Sequence, residues 1–206
     1  MASLSHILAA PALAFGLALA SAPAALADGH GAGIDTTVVE SQLPEKKVNK
    51  TGLYITAAES IEVLSNRDDV ALVDVRSPAE TMLVGYATVT DVNIPFKTID
   101  PEHPYKAKKK RYGMRPNPTF VEEVKAFIAQ ENPAALLVMC RSGGRSAMAV
   151  NALAEAGIDV PAYTVVDGFE GDSSDEGKRT VNGWKNAGGE WTYKVRPDLW
   201  PAASSR

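Results

Sequence analysis

The sequence has few cysteine and histidine residues. Its 206 residues include one cysteine, Cys140, and three histidines. A disulfide framework needs pairs of cysteines, and a structural zinc site needs several sulfur or imidazole ligands. The composition therefore excludes both kinds of cross-link within the chain, and Cys140 must act as a lone thiol.

Charged side chains are absent from the first 27 residues. An apolar run from Ile7 to Ala20 is followed by the small-x-small pattern of residues 25–27, directly before Asp28. Such a run is short for a bilayer span and is typical of a secretory signal peptide. We expect residues 1–27 to be cleaved, giving a periplasmic or secreted protein with no stable membrane anchor. The alternatives are an uncleaved anchor and a disordered alanine-rich arm.

An excess of positive charge is also lacking. The net charge is −4 and the pI about 5.4, so the chain has no general attraction to nucleic acid or to an anionic membrane. A hydrophobic content of 45% and a charged content of 22% are typical of one or at most two globular domains. We expect residues 28–50 to form a flexible segment and residues 51–200 to form one domain.

From Leu53 onward, short apolar runs typical of strands alternate with helix signals. Thr56 with Glu59, and Ser77 with Glu80, have the spacing of a capping box at a helix start. This alternation predicts a doubly wound α/β fold with a mainly parallel central sheet flanked by helices. The predicted strands are 53–55, 70–75, 92–95, 134–139 and 163–166, and the helices are expected to begin near residues 56, 77, 117 and 146.

Two regions do not follow this alternation of strands and helices. Residues 97–117 form a long connection rich in proline and lysine, with a basic run at 106–111. It is either a solvated loop or a docking patch for an acidic partner or an anionic substrate. The tail after Asp172 is rich in large aromatic residues, which we expect to cover apolar surface. These aromatic residues are Trp184, Trp191, Tyr193 and Trp200.

Cys140 follows directly after a predicted buried strand. In an open α/β sheet, ligands bind beyond the carboxyl ends of the strands, so this thiol lies where chemistry is expected. Gly143 and Gly144 permit a tight turn into the next helix, whose backbone N–H groups would surround the sulfur. The positive end of the helix dipole and the cation of Arg145 would favour a thiolate. The alternative is a buried, inert cysteine.

The segment after this strand resembles the active-site loop of the rhodanese (sulfurtransferase) family, which begins with a nucleophilic cysteine and commonly ends in arginine. The resemblance covers most of residues 51–171. A stretch of the form His-x-Pro-Gly-Ala, frequent in the family, is replaced here by residues 85–91. The matching segments are Cys140-Arg141-Ser142-Gly143-Gly144-Arg145, Asp74-Val75-Arg76 with Glu80, Asn93-Ile94-Pro95, and Val166-Asp167-Gly168-Phe169-Glu170-Gly171.

The resemblance implies that Cys140 takes sulfur from thiosulfate or a related anion and passes it, through a persulfide, to a thiol or cyanide. Arg145 would hold the persulfide from the helix end, and Arg141 with Ser142 would meet the incoming sulfonate. Asp74 and Arg76 are expected to form a supporting buried ion pair. No cofactor is expected. An exported redox protein is a further candidate partner.

Two other functions remain open. One is a non-catalytic sulfur carrier or interaction module. The other is a phosphatase or arsenate reductase, whose loop places five residues between cysteine and arginine, whereas four separate Cys140 from Arg145.

No metal site is predicted within the domain. If cleavage follows Ala27, however, the new chain would begin with Asp28, Gly29 and His30. An amine, two amides and a third-position imidazole can form a square-planar site for Cu(II) or Ni(II). Any exported protein with a third-position histidine acquires this geometry.

Overall fold

The computed structural model describes residues 31–199. These residues form an α/β fold, as the alternating pattern predicted. The strands are β1 (Tyr54–Ile55), β2 (Val70–Asp74), β3 (Tyr86–Ala87), β4 (Val92–Asn93), β5 (Lys97–Ile99), β6 (Tyr105–Lys106), β7 (Arg111–Tyr112), β8 (Met114–Pro116), β9 (Ala135–Met139), β10 (Ala162–Val165) and β11 (Trp191–Thr192). The helices are α1 (Ala57–Asn66), α2 (Pro78–Val84), α3 (Phe120–Glu131) and α4 (Gly144–Glu155).

The centre of the fold is a five-stranded sheet in the order β1-β10-β9-β2-β4. All four neighbouring pairs are parallel. Strands β2 and β9 are buried along their whole length, which explains their unbroken apolar sequences. Strand β9 lies in the middle of the sheet, so the residue that follows it, Cys140, emerges at the centre of the carboxyl edge.

Helices cover both faces of this sheet. On one face, α3 and α4 pack through side chains such as Phe120, Val124 and Val150. On the other face, α1 and the end of α2 pack through residues that include Ala57 and Val84. The doubly wound arrangement predicted from the sequence is therefore confirmed.

Both predicted capping boxes are present. Thr56 and Glu59 satisfy each other's backbone N–H groups at the start of α1. Ser77 and Glu80 do the same at α2, where Pro78 occupies the first turn. These local signals determine the residue at which each of the two helices begins.

The segment before the domain differs from its predicted flexibility. The Lys47 side chain is 4% exposed and contacts the Asp172 carboxylate at 2.6 Å. Asn49 is buried, and its amide donates to Leu53 O at 2.8 Å and Thr164 Oγ1 at 2.9 Å. The prediction of a flexible segment is wrong for this part of residues 31–50. It had rested on the lack of periodicity, which does not reveal contacts with distant residues.

The connection between β4 and α3 is more ordered than a simple loop. Residues 97–116, here called the basic arm, form two nested antiparallel ladders, β5 with β8 and β6 with β7. Its base is fixed because Phe96 packs edge-to-face on Phe120, with ring centroids 5.1 Å apart. Most of the arm's side chains between 101 and 112 are exposed.

The described aromatic residues of the tail cover apolar surface. Trp184 is buried in the core and Trp191 packs against it, as predicted. Strand β11, which carries Trp191, pairs with β3. Tyr193 is 56% exposed, but its ring packs edge-to-face on Trp191 with centroids 5.0 Å apart, so it covers that apolar side chain. Trp200 lies outside the described residues, as do the predicted signal peptide and the Asp28–His30 segment.

Within residues 31–199, no helix combines the length and apolar character needed to cross a bilayer.

The packing of residues 34–50 generates a prediction about Asn49. We expect Asn49→Ala to lower the free energy of unfolding by about 2 kcal/mol, because it leaves polar groups of residues 51–53 and the buried Thr164 hydroxyl without their partner. Urea unfolding measures the change. Asn66→Ala, at an exposed position, is the control and should change stability by less than about 0.5 kcal/mol. Equal effects of the two substitutions would show that this segment does not belong to the folded unit.

Candidate active site

Cys140 lies directly beyond the carboxyl end of β9 and is 2% exposed. Its carbonyl accepts a hydrogen bond from Phe169 N at 2.8 Å, and the Arg141 carbonyl accepts one from Glu170 N at 3.0 Å. The loop after β9 is thus held against the loop after β10. The predicted position of the thiol is confirmed.

Two glycines permit this contact between loops. Gly143 has a φ of 92°, and a Cβ there would lie 2.1 Å from Val166 O. Gly168 has a φ of 64°, and a Cβ there would lie 2.5 Å from Cys140 O. Both positions favour glycine through the left-handed backbone and through the lack of space. Gly143 was predicted to form the turn.

The sulfur of Cys140 faces the start of α4. Ser146 N donates to Cys140 Sγ at 3.4 Å, and α4 begins at Gly144, two residues earlier than predicted. The positive end of the helix dipole is therefore directed at the sulfur, which favours an anion there. The Ser146 hydroxyl is buried without a hydrogen-bond partner in the described chain. Ser142 and Gly144, by contrast, are half-buried.

Arg145 is held by Glu80. Its two terminal nitrogens donate to the two Glu80 oxygens at 2.7 and 2.5 Å, in a pair whose side chains are 15% and 21% exposed. Burial alone would raise the pKa of Glu80. The hydrogen bonds and the charge of Arg145, together with hydrogen bonds from Ser77, outweigh burial and lower the pKa to about 2. The pKa of Arg145 is raised overall. Burial acts to lower it, but the contact with Glu80 and the nearby Cys140 outweigh burial. The cation lies near the thiol, but its hydrogen bonds go to Glu80.

Arg141 points to the outer side of the loop. Its Nε donates to Glu170 at 2.5 Å, while its side chain is 47% exposed and that of Glu170 is 18% exposed. Within residues 31–199, no partner is found for the two terminal nitrogens of Arg141. An anion approaching the mouth of the loop could therefore bind them.

A third arginine near the thiol was not predicted. Arg179 donates to Gly171 O. Burial and the charge of Arg141 lower the pKa of Arg179, and the nearby Glu170, Asp172 and Cys140 act in the opposite direction. No sequence signal indicated Arg179, because it lies in a polar tail segment without periodicity or motif.

Asp74 and Arg76 form the predicted buried ion pair. Both side chains are 0% exposed, and Arg76 Nη2 lies 2.5 Å from Asp74 Oδ2. Arg76 also donates to Gly85 O at 3.0 Å and lies 4.1 Å above the Phe169 ring. The pair supports the floor of the site, since Phe169 N is bonded to Cys140 O.

Metal-ligating side chains do not gather in the part of the chain that the structure covers. No group of three or more His, Cys, Asp or Glu side chains there could hold a metal ion. Asp28 and His30, the residues of the alternative copper or nickel site, lie outside it.

Comparisons with known proteins give few functional names. No family model matches the chain. The solved structure of Rv0390 from M. tuberculosis is similar, with 32% identity over 68% of this chain and 96% of that chain and a TM-score of 0.52. A Rhodopseudomonas palustris protein of unknown function, described as a possible tyrosine phosphatase, has 25% identity over 68% of this chain and 84% of that chain, and a TM-score of 0.40.

Two uncharacterised Rickettsia proteins are also similar. RP600 of Rickettsia prowazekii is 29% identical over 138 residues, which are 67% of this chain and 94% of that protein. Its homologue in Rickettsia rickettsii is 27% identical over 139 residues, which are 68% of this chain and 96% of that protein. The likeness to Rv0390 supports the fold, and the chemistry is argued from the site itself.

The Glu80–Arg145 pair generates a pH prediction. The pKa of Glu80 falls from its ordinary 4.5 to about 2 on folding. A lowered carboxyl pKa stabilises the fold above about pH 4.5, and this stabilisation is lost as the pH falls towards 2. We expect Glu80→Gln to cost about 2 kcal/mol near neutral pH, after a discount for the partly exposed pair, and much less near pH 3.

Urea unfolding over this pH range measures the effect. Glu122→Gln is the control, because Glu122 is 73% exposed and pairs only with the surface residue Lys125. A Glu80→Gln deficit that stays constant from neutral pH to about pH 3 would contradict the role of the charge.

Proposed function

We propose that this chain, which belongs to the same family as Rv0390, is a sulfurtransferase of the rhodanese type whose nucleophile is Cys140. One observation carries the proposal. The Cys140 sulfur lies at the carboxyl end of the central strand and accepts the N–H of Ser146 at the start of α4. An anionic sulfur, either thiolate or persulfide, is the group that this environment favours.

The first step transfers sulfur to the enzyme. The Cys140 thiolate attacks the outer sulfur of thiosulfate, and a new S–S bond forms. The original bond from that sulfur to the sulfonate sulfur breaks, and sulfite leaves with the electron pair. The enzyme then carries one negative charge on the outer sulfur of a Cys140 persulfide.

The second step returns the enzyme to its starting form. Cyanide or a thiolate attacks the outer sulfur and forms a bond to it. The bond to Cys140 Sγ breaks, and the cysteine leaves as a thiolate. Each step moves one neutral sulfur atom between two nucleophiles. The reaction needs no external oxidant or reductant, and therefore no redox cofactor.

The roles proposed for Arg141 and Arg145 differ in part from those that the loop sequence alone suggests. Arg141 has terminal nitrogens open to solvent and would bind the sulfonate oxygens of the donor. Arg145 is a positioning residue, because its hydrogen bonds to Glu80 fix the first turn of α4 while its charge still acts on the nearby sulfur. Ser142 and Gly144 are half-buried in the same loop, and Ser142 is assigned to the binding of the donor beside Arg141.

The same geometry disfavours an oxyanion enzyme. A phosphatase of this type needs an arginine whose guanidinium is free to bind the phosphate oxygens in a bidentate manner. Here both terminal nitrogens of Arg145 already bind Glu80. A non-catalytic sulfur carrier has the same persulfide chemistry and differs only in the absence of turnover.

The first experiment is intact mass spectrometry of the reduced protein before and after thiosulfate. We expect a gain of about 32 Da on the wild type, no gain on Cys140→Ser, and loss of the added mass with cyanide. Initial rates measured at several concentrations of both substrates should give the parallel double-reciprocal lines of a two-step exchange.

The outcomes separate the candidate functions. A stable persulfide that cyanide does not remove would favour the carrier. No gain from thiosulfate or another sulfane donor would overturn the sulfurtransferase proposal and leave the oxyanion enzyme.

We propose that the protein is exported to the periplasm or beyond through a cleaved signal peptide. The support is the uncharged, apolar sequence of residues 1–27. Intact mass of the chain purified from the periplasmic fraction of a bacterial host should correspond to a start at Asp28. A full-length chain retained in the cytoplasm would contradict export.

A further inference from the structure

The basic arm carries charge that the rest of the fold does not neutralise. It has seven lysines and arginines against two acidic residues, in a chain of net charge −4. The described residues form nine ion pairs, and none involves a basic residue of the arm. Nine of the thirteen described lysines and arginines outside the arm are paired. The arm is therefore a local concentration of free positive charge.

The tip of the arm has two features that folding alone does not favour. Lys106 lies directly opposite Arg111 in the β6–β7 ladder, and like charges in this position weaken strand pairing. Tyr105 lies opposite Tyr112, and these residues are 62% and 63% exposed. Their rings pack edge-to-face, with centroids 6.1 Å apart. Tyrosine and arginine are enriched at protein interfaces relative to the rest of the surface.

The arm lies beside the first turns of α4, next to the thiol loop. Lys97 Nζ is 3.8 Å from Sδ of Met148, which is itself 45% exposed. Burial lowers the pKa of Lys97, and so do the charges of Lys109, Arg111 and Arg145. The base of the arm therefore lies against α4, the helix whose first turn faces the thiol. Arg145 and Met148, three residues apart on α4, lie on the same helix side.

We propose that the basic arm is the docking surface for an acidic protein that exchanges sulfur with Cys140. This proposal rests on the sulfurtransferase function and adds the class of its partner. A cysteine thiolate of the partner attacks the outer sulfur of the Cys140 persulfide. The bond to Cys140 Sγ breaks, Cys140 leaves as a thiolate, and the partner acquires the persulfide.

Charge and burial favour a protein over other polyanions. Apart from the arm, the chain carries a formal charge of −9, which repels the extended negative surface of a membrane or a nucleic acid. An acidic protein can limit its negative charge to the area of the arm. Because Cys140 is 2% exposed, the partner must also present its thiol on a narrow segment.

The test uses short synthetic peptides with one central cysteine, flanked by acidic, neutral or basic residues. Serine versions of the same peptides report binding without sulfur chemistry, through fluorescence anisotropy. We expect the acidic peptide to bind about tenfold more tightly than the neutral one at low salt, and this preference to shrink as ionic strength rises. The acidic cysteine peptide should remove sulfur from the loaded enzyme faster by a similar factor.

Two charge-reversal variants with equal net charge locate the surface. Lys108→Glu, Lys109→Glu and Arg111→Glu together should abolish the preference for the acidic peptide. The control combines Lys125→Glu, Lys178→Glu and Lys194→Glu at exposed positions outside the arm and should keep it. Dithiothreitol, a small neutral acceptor, should unload both variants at the wild-type rate.

The binding measurement tests the docking surface, and the chemical measurement tests the proposed function, so each proposal can be rejected separately. If no persulfide forms, the serine peptides still test the surface, and only the proposed function falls. Equal binding of acidic and neutral peptides would overturn the docking proposal, as would equal losses in both variants. Tighter binding of phosphatidylglycerol vesicles or of a DNA oligonucleotide than of the acidic peptide, lost in the arm variant alone, would replace the protein partner with that polyanion.

Discussion

The ion pair between Glu80 and Arg145 connects two helices that pack on opposite faces of the sheet. Glu80 belongs to the first turn of α2 and also caps that helix through Ser77. Arg145 belongs to the first turn of α4, which contributes the N–H bonded to the Cys140 sulfur. The pair spans the carboxyl edge of the sheet, so it fixes the position of α4 relative to β9. The placement of the thiol at a helix start depends on this contact.

Much of the fold was predictable because its signals are local. Thr56 and Ser77 cap helices through residues three positions later, and the unbroken apolar runs of β2 and β9 are typical of strands buried on both faces. The ordering of the chain around Asn49 was missed because its hydrogen bonds reach Thr164, 115 positions away. The ladders of the basic arm were missed for a different reason. Their strands have two or three residues each, too few to show an alternating pattern.

The candidate site was predicted to a similar extent. The six-residue loop gave the position of the nucleophile, the glycine turn and the nearby cation. It could not show that Arg145 binds Glu80 or that Arg141 binds Glu170, because each pair joins segments far apart in sequence. Glu80 was recognised as a cap and as part of the family signature, yet its second partner is visible only in three dimensions. Arg179 carried no signal at all.

The contact between Gly143, Gly168 and their neighbours has a consequence for how such a loop can change over evolution. The backbone after β9 and the backbone after β10 touch with no room for even one methyl group between them. An extra residue in the Cys140 loop would have to push the Phe169 segment aside and disturb the contact of the Phe169 ring with the Arg76 guanidinium. Converting this loop to the longer phosphate-binding size would therefore require coordinated changes in at least two distant segments. A single insertion would leave a misfolded site instead of a new specificity.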